Sequence, residues 1–275
     1  MTVATLRDVL TPCLADNTAI AGLVVLGWED AVAYVRAAEH LGRPVILQAG
    51  PGSRSHTPLP VLGAMLRNLA ERAAVPVVIH LDHGDSLDDC KLAFESGFSS
   101  VMFDGSGLPL AENIDKTGEI CVWAHAHGLS VEGELGFVGY QDGHESRGTD
   151  PQDVGGFVRE TAVDALAVSV GNRHLMTSPG AEIDLDRLAA IEAASPGLPL
   201  VLHGGSGIGR TTRKFVATNT NVCKVNIGTE LRMAFGASLR RVLSEDMSAF
   251  DRIRILEKTI APVGVAAQSA IASLI

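Results

Sequence analysis

Short apolar runs recur about every 30 residues along this chain of 275 residues, and helical patterns lie between them. Most of the runs are rich in Val, Ile and Leu and are continuous rather than alternating, which is typical of parallel strands buried on both faces. The runs lie near residues 20–26, 44–49, 76–81, 100–104, 129–134, 164–170, 198–203 and 222–227. Eight strands, each followed by a helix, predict an α/β fold of the (β/α)8 TIM-barrel type.

Amphipathic helical patterns fill the intervals, and no linker or low-complexity segment divides the chain. They cover 28–41, 60–74, 86–97, 110–127, 151–161, 185–194, 209–218 and 229–244. An apolar stretch at 260–275 is predicted as an extra C-terminal helix that packs or mediates oligomerisation. We therefore expect one domain over 1–275. The alternative, a doubly wound open sheet, would usually show a Gly-rich turn after its first strand, and no G-x-G-x-x-G follows residue 26.

Charge and cysteine usage narrow the function classes. The formal net charge of −10 argues against a nucleic-acid partner, because phosphate backbones require a basic face. The four cysteines are far apart and form no C-x-x-C pair, so we expect no disulfide framework and a reduced, cytoplasmic setting. No secretory signal is visible and no uncharged apolar stretch reaches the ~20 residues that cross a bilayer, so we expect no membrane association.

Three histidines lie just past predicted strands, beside glycine or carboxylate residues. They are His83, His174 and His203, after the third, sixth and seventh strands. Because the carboxyl ends of barrel strands meet at one rim, these side chains are expected to converge there. Three imidazoles can hold Zn2+ and leave a fourth position for substrate.

Carboxylates accompany the histidines. Asp82 precedes the first of them and is the leading acid/base candidate, with orientation of a histidine as its alternative role. Glu132 and Glu134 share one face of the fifth strand, and Glu134, nearer the rim, is the better candidate to reach the metal. Asp104 ends the fourth strand and is predicted to bind substrate.

Two glycine-containing loops follow the last two predicted strands. Gly204, Gly205 and Ser206 follow the seventh strand, and Asn226, Gly228 and Thr229 follow the eighth and open a helix. Glycines let backbone N–H groups approach an oxyanion, and barrels frequently bind phosphate at these two loops. The loops therefore predict an anion site beside the metal.

These segments resemble the class II (zinc-dependent) ketose-bisphosphate aldolases, which include fructose- and tagatose-bisphosphate aldolases. The likeness covers about residues 44–235, and the tagatose-type branch looks nearer. It is carried by H-L-D-H with S-L-D-D at 80–89, M-F-D-G-S at 102–106, V-E-G-E-L-G at 131–136, G-N-R-H at 171–174, L-V-L-H-G-G-S-G at 200–207 and K-V-N-I-G-T-E at 224–230.

The resemblance implies reversible cleavage of a phosphorylated ketose, such as fructose or tagatose 1,6-bisphosphate, to dihydroxyacetone phosphate and an aldehyde through a zinc-stabilised enediolate. It places zinc on the three histidines, with Glu134 as an alternate ligand and a monovalent cation such as Na+ or K+ near the phosphate. It makes Asp82 the acid/base and the two glycine-containing loops the phosphate binders. It also implies a mobile loop at 136–150 whose acid exchanges the donor's α-proton, with Asp142 as the nearest candidate, and a homodimer or homotetramer.

Two departures from the family pattern bear on the substrate. Leu175 follows the second zinc histidine where the family has a small residue, usually glycine, and it is expected to crowd the phosphate and monovalent-cation site. An asparagine-containing segment after the first strand is replaced here by residues 23–28. A sulfonated, carboxylated or deoxy sugar phosphate is therefore an alternative substrate, with Arg173 or Arg54 as its anion ligand.

Three other functions stay open at the level of sequence. A metal-dependent hydrolase on the same fold commonly carries H-x-H after its first strand, and residues 22–27 contain no histidine. A non-catalytic barrel with a retained zinc site is the second. A Schiff-base aldolase would need a lysine at the site, and only Lys224 falls in a predicted strand.

Overall fold

The computed structural model of this chain describes residues 2–140, 143 and 145–275, and its centre is a closed parallel barrel. Strands β2 to β9 form the barrel, and β4 pairs with β5 to close it, while the two-residue β1 joins the start of β4. The strands are β1 Val3–Ala4, β2 Ile20–Val24, β3 Val45–Ala49, β4 Val77–Gly84, β5 Ser100–Phe103, β6 Ser130–Leu135, β7 Ala165–Val168, β8 Leu200–Leu202 and β9 Val222–Ile227. The predicted (β/α)8 barrel is confirmed.

Helices connect the strands in the order that the sequence predicts, with two additions near the N-terminal half. They are α1 Leu6–Asp16, α2 Trp28–Leu41, α3 Pro51–His56, α4 Leu59–Arg72, α5 Leu87–Glu95, α6 Leu110–Ala126, α7 Pro151–Thr161, α8 Leu185–Ala194, α9 Arg210–Asn219, α10 Thr229–Glu245 and α11 Arg252–Ala272. Helix α1 was not predicted, and neither was α3. The C-terminal helix begins at Arg252, well before the predicted 260.

Helix α3 corrects the prediction that 49–59 is irregular. Its sequence begins Pro51-Gly52, which is typical of a turn, but proline is well suited to the first helical position because it needs no hydrogen-bond acceptor there. The backbone N–H of Arg54 donates to the carbonyl of Gly50 at 3.0 Å, so a short helix follows directly from the end of β3. This helix lies beside the carboxyl ends of β3 and β4.

Alternation along the strands separates two apolar layers. In β4, Val77, Ile79 and Leu81 face the outer layer between strands and helices, whereas Val78 faces the interior of the barrel. The interior layer also contains Leu6, Val9 and Leu10 of α1, together with apolar residues of the surrounding strands. Helix α1 therefore fills the amino-terminal end of the barrel, and the polar interior residues lie toward the other end.

The C-terminal helix α11 packs against α2 and α10 on the outside of the barrel. Pro262 is accommodated within it, and Val263, Ala267 and Ile271 are buried. None of the helices described for this chain is long and apolar enough to cross a membrane.

Candidate active site

A bulge near the end of β4 brings two neighbouring side chains to the same site. Leu81 pairs with Val101 and Gly84 with Phe103, so β4 advances by three residues while β5 advances by two. His83 lies in this extra length with a left-handed backbone (φ 52°). Simple alternation would point Asp82 and His83 to opposite faces. The bulge and the left-handed turn allow both side chains to reach the carboxyl end of the barrel.

The three predicted histidine ligands converge at this end. The ring centroids of His83 and His203 are 4.7 Å apart, and the His174 ring lies 5.4 Å from the first and 5.5 Å from the second. One ring nitrogen from each histidine lies within 4.8 Å of the others, so the group has the size of a metal site. His83 lies inside β4 and His203 directly follows β8, whereas His174 lies in the loop after β7.

Carboxylates orient two of the imidazoles. The Nδ1 atom of His83 is 2.7 Å from Asp104 Oδ2, which leaves Nε2 for a ligand. The Nε2 atom of His203 is 3.0 Å from Glu132 Oε1, which leaves Nδ1. Histidine ligands of metals usually share their second nitrogen with a carboxylate in this way, because the contact fixes the tautomer and the ring orientation.

The backbone of His174 is anchored to the loop that follows β6. Its N–H donates to the carbonyl of Gly139 at 2.8 Å, and its ring stacks on Tyr140 with centroids 5.1 Å apart. The loops after β6 and β7 therefore both fix the position of His174.

Two buried polar atoms in the centre fit a bound cation. His203 Nδ1 and Glu134 Oε2 have no hydrogen-bond partner within the described part of the chain, and they lie 3.8 Å apart. Glu134 Oε2 is also 3.9 Å from His83 Nδ1, and His83, Asp104 and Glu134 form a second group of metal-binding size. Imidazole nitrogens with a nearby carboxylate are the donor set that zinc prefers.

The carboxylates of the site favour positive charge within it. Burial raises the pKa of Glu134, and the nearby Asp104 carboxylate adds to this, so that it is about 7. Burial alone would lower the pKa of His83, but Asp82 and Asp104 raise it to about 10. By contrast, burial and the neighbouring imidazoles of His203 and His83 lower the pKa of His174 to about 3. Binding of a metal at His83 Nε2 therefore requires release of a proton, whereas His174 stays neutral and can bind without proton release.

A buried ion pair lies beneath the histidines. Lys224 Nζ is 2.6 Å from Glu132 Oε2, and both side chains are fully buried. Burial raises the pKa of Glu132, but Lys224 and the hydrogen bond from His203 outweigh it and hold that pKa well below its usual range. The Lys224 amine is thus engaged by a buried carboxylate beneath the histidines, which argues against the Schiff-base alternative.

His80 adds a further contact to this layer. Its Nδ1 is 2.8 Å from Ser100 Oγ, and its Nε2 is 3.5 Å from Glu132 Oε2. Burial, with the charge of Lys224, lowers the pKa of His80 to about 3, so it stays neutral. The polar layer that supports His203 thus draws on four strands, β4, β5, β6 and β9.

Asp82 lies at the boundary between this layer and the open end. Its Oδ1 accepts a hydrogen bond from Asn226 Nδ2 at 3.3 Å. Burial raises its pKa, but the imidazoles of His83 and His203, with Lys224, outweigh burial and hold it below the usual value. The carboxylate is therefore ionised and able to accept a proton.

The two glycine-containing loops pack against each other. Gly204 has a left-handed backbone (φ 65°), and a Cβ atom there would lie 2.0 Å from the carbonyl oxygen of Arg173, so glycine is required. Residues 205–207 form a 3₁₀ turn. Ser206 Oγ accepts from the backbone N–H of Glu230 at 3.2 Å, next to Gly228 and Thr229, where α10 begins. The predicted anion-binding residues are thus brought together.

Arg213 joins these loops and was not predicted from the sequence. It is buried, donates through Nε to the carbonyl of Ile208 at 2.8 Å and forms two bonds to Glu230 at 2.7 and 3.0 Å. An arginine on a surface helix pattern carries no local signal of such a role. Gln48 was also missed, although a polar residue within the apolar strand V-I-L-Q-A was a signal.

Gln48 and Asn226 offer unused polar atoms near Asp82. Both amide atoms of Gln48, and Oδ1 of Asn226, are buried without a hydrogen-bond partner among the described residues. A Cβ atom on Gly22 would lie 1.8 Å from Gln48 Oε1 and 2.8 Å from Asn226 Oδ1. The absence of a side chain at Gly22 therefore makes room for these amides, which are free to bind a polar ligand.

Leu175 departs from the rest of the site in its conformation. It follows His174, has a left-handed backbone (φ 58°) and is about half exposed (49%). The next residue, Met176, packs on the 205–207 turn, because a Cβ atom on Gly207 would lie 2.4 Å from its sulfur. Residues 174–176 therefore connect the group of three histidines to the predicted anion site. The predicted loop acid Asp142 lies outside the described residues.

Comparisons with known proteins agree with this geometry. Residues 4–274 match the family described as fructose-bisphosphate aldolase class-II. The chain is 39% identical to 6-phospho-5-dehydro-2-deoxy-D-gluconate aldolase of Shouchella clausii (strain KSM-K16), covering 92% of this chain and 89% of that one. It is 35% identical to fructose-bisphosphate aldolase of Treponema pallidum (strain Nichols), covering 89% and 87%. The crystal structure of the YdjI aldolase from Escherichia coli K12 superposes with a TM-score of 0.86 at 30% identity, over 99% of this chain and 97% of that one.

Proposed function

The chain belongs to the class II fructose-bisphosphate aldolase family and is an aldolase, and from this premise we propose that its site is a zinc centre on His83, His174 and His203. The observation that carries the proposal is the convergence of three imidazoles around two unpartnered buried atoms, His203 Nδ1 and Glu134 Oε2. When bound, zinc supplies a Lewis acid that stabilises negative charge developing on substrate oxygens.

We assign the proton transfer to Asp82. Its carboxylate is ionised, buried and held by Asn226, at the point where the metal ligands meet the open end of the barrel. In the cleavage direction it accepts the proton of the substrate hydroxyl while the carbon–carbon bond breaks, and in the synthetic direction it returns that proton. Asn226 fixes one carboxylate oxygen and leaves the other for the substrate.

A phosphorylated group is proposed to bind at the loops that follow β8 and β9. Gly204, Gly205 and Ser206 with Asn226, Gly228 and Thr229 lie together there, and the start of α10 favours an anion. Arg213 holds the two loops in register through Ile208 and Glu230. For Asp104, which was predicted to bind substrate, we propose that it orients His83, because it contacts the His83 ring and Ser106.

Two substrate classes follow from the comparisons. A phosphorylated ketose, such as fructose or tagatose 1,6-bisphosphate, is the first candidate, in agreement with the relatives named fructose-bisphosphate aldolase. A phosphorylated dehydro-deoxy sugar acid is the second, because the relative of that specificity is 39% identical to this chain. In both cases the chemistry is cleavage to a phosphorylated ketone donor and an aldehyde, rather than hydrolysis.

The experiment is a cleavage assay on a panel of both substrate classes, with the metal content measured in parallel. We expect about one zinc per chain, release of an aldehyde from one class, and loss of activity after treatment with a chelator. Added Zn2+ should restore activity. Activity that is retained in fully metal-free protein would overturn the zinc centre. Release of inorganic phosphate in place of an aldehyde would instead indicate a hydrolase.

We further propose that the enzyme acts in the cytoplasm as a homodimer or homotetramer. Trp28, Phe250, Ile253 and Val265 are exposed apolar residues on α2, α11 and the segment before α11, which gives a second copy an apolar surface. The four cysteines are free and buried, as in a reducing compartment. Light scattering of the purified protein should give a mass of two or four chains, and a monomer would contradict this.

A further inference from the structure

Arg54 binds the backbone at the ends of two neighbouring strands. Its Nη1 donates to the carbonyls of Ala49, at 3.1 Å, and of Asp82, at 2.5 Å. Its Nη2 donates to the carbonyl of His83 at 2.8 Å. The guanidinium of a half-buried residue on α3 therefore spans from the end of β3 to the bulge of β4.

The bulge creates the acceptors that Arg54 satisfies. The pairing of β4 with β5 skips from Leu81 to Gly84, so Asp82 and His83 have no place in that register. Carbonyl groups that leave a ladder and stay away from water must find another donor or destabilise the fold. A guanidinium presents several donors in a rigid fork and keeps its charge, which suits neighbouring carbonyls better than an ammonium group does.

The conformation that Arg54 supports is the one that the chemistry requires. A left-handed backbone at a residue other than glycine is unfavourable and persists only where its surroundings hold it. At His83 (φ 52°) it directs the imidazole toward the same site as Asp82. The contacts of Arg54 with both carbonyls fix the two peptide groups on either side of His83, the first of which links it to Asp82.

We infer that Arg54 is a positioning residue that sets the geometry of Asp82 and His83. The inference deepens the proposed function and rests on it, since the roles of these two residues are assigned there. It also replaces the sequence-based expectation that Arg54 binds an anionic substrate, because three of its donor bonds go to backbone carbonyls.

The test compares Arg54→Ala and Arg54→Lys with the native enzyme. For Arg54→Ala we expect kcat to fall about 10²-fold, as for small misplacement of reacting groups, with KM changed only a few-fold. We expect affinity for Co2+, measured by metal titration, to fall roughly 10–100-fold, with an altered visible absorption spectrum of the cobalt form. Arg54→Lys should lie between the two, and millimolar guanidinium should partly restore kcat of Arg54→Ala.

Arg159→Ala is the matched control, because Arg159 is exposed on α7, where it makes a long 3.4 Å bond to the carbonyl of Gly155 and a surface ion pair with Glu160 at 3.6 Å. It should keep the native kcat and cobalt spectrum and show no response to guanidinium. Native kcat and spectrum in Arg54→Ala would overturn the inference. A rise in KM alone, with kcat unchanged, would also overturn it, because that result identifies a substrate ligand.

A measurement on metal-free protein separates this inference from the zinc proposal. Hydrogen exchange in the peptide that covers β4 should be at least about tenfold faster in Arg54→Lys than in the native chain, because local opening of the bulge becomes easier. Equal exchange would overturn the role of Arg54 even if zinc binding is confirmed. Native protein that binds no metal, with faster exchange in the variant, would instead contradict only the zinc centre. If Arg54→Ala does not fold, Arg54→Lys carries all of these measurements.

Discussion

Two residues other than glycine adopt a left-handed backbone beside the site, and they are supported very differently. His83 (φ 52°) is held by Asp104 through its ring and by Arg54 through its carbonyl. Leu175 (φ 58°) follows the metal-site residue His174, and its side chain is about half exposed (49%). The same backbone conformation is thus enclosed by polar contacts at one end of the site and open to solvent at the other.

The difference indicates which end of the site is fixed by chemistry. At His83 the left-handed turn has a direct use, because it brings the proposed metal ligand and Asp82 together. At position 175 glycine would adopt the same backbone without a steric penalty. The presence of leucine there is therefore explained by its side chain and not by the backbone conformation. We therefore expect substitutions at β4 to abolish catalysis, and substitutions at Leu175 to change substrate binding.

The largest expected effect comes from replacing His83, the first of these two residues, with glycine. His83→Gly keeps a residue that tolerates the left-handed backbone but removes one metal ligand. We expect zinc content to fall far below one per chain and kcat/KM to drop ~10³-fold or more, since loss of Lewis-acid stabilisation of about 4 kcal/mol has this effect. Metal analysis and the aldehyde-release assay measure both quantities.

The unfolding of metal-free His83→Gly is the control for this prediction. Because the backbone conformation is retained, its free energy of unfolding should stay within about 1 kcal/mol of metal-free native protein. Full zinc content with near-native activity would show that His83 is not a ligand. A large loss of stability would show that the effect is structural.

The second prediction separates the acid/base from the metal. In the native chain Asn226 donates to the Asp82 carboxylate at 3.3 Å. In Asp82→Asn the new amide oxygen can still accept this hydrogen bond, but the amide cannot accept a proton. We expect zinc content to stay near native and kcat to fall about 10²–10⁴-fold, the usual contribution of general acid–base catalysis. Kinetics together with metal analysis on the same preparation test this. Native turnover in this variant would show that a group other than Asp82 carries out the proton transfer.

Much of the barrel could be predicted from the sequence because its strands are buried on both faces. Continuous apolar runs identified all eight barrel strands, and helix α2 was predicted with its observed bounds, Trp28–Leu41. The convergence of His83, His174 and His203 followed from barrel geometry alone. Local patterns were sufficient wherever the local sequence and the overall fold agreed.

The bulge and its support could not be predicted in this way. Strict alternation places Asp82 and His83 on opposite faces, and no residue near them in sequence indicates that β4 contains a bulge. Arg54 contacts them from 28 and 29 residues away in sequence. Its role depends on how α3 meets β4, which is a property of tertiary packing. The sequence pattern therefore indicated which residues form the site, but not the bulge and the Arg54 contacts that align them.

The smallest expected effect comes from replacing Leu175, the second left-handed residue, with glycine. Leu175→Gly removes a left-handed penalty of about 1–2 kcal/mol, but the greater freedom of glycine in the unfolded chain offsets roughly 0.5–1 kcal/mol of that gain. Denaturant unfolding should therefore show a stabilisation of at most ~1.5 kcal/mol. Zinc content should be unchanged, because His174 remains anchored through its N–H to Gly139.

Leu175→Ala distinguishes the side chain from the backbone in this last comparison. Alanine removes most of the apolar bulk and keeps the left-handed penalty, so it should share any change in KM but not the gain in stability. If Leu175 crowds the anion site beside Met176 and the 205–207 turn, KM for a ketose bisphosphate should fall a few-fold in both variants. A rise in KM in both would instead show that Leu175 contacts the substrate, and it would favour a substrate with an apolar or deoxy group at that position.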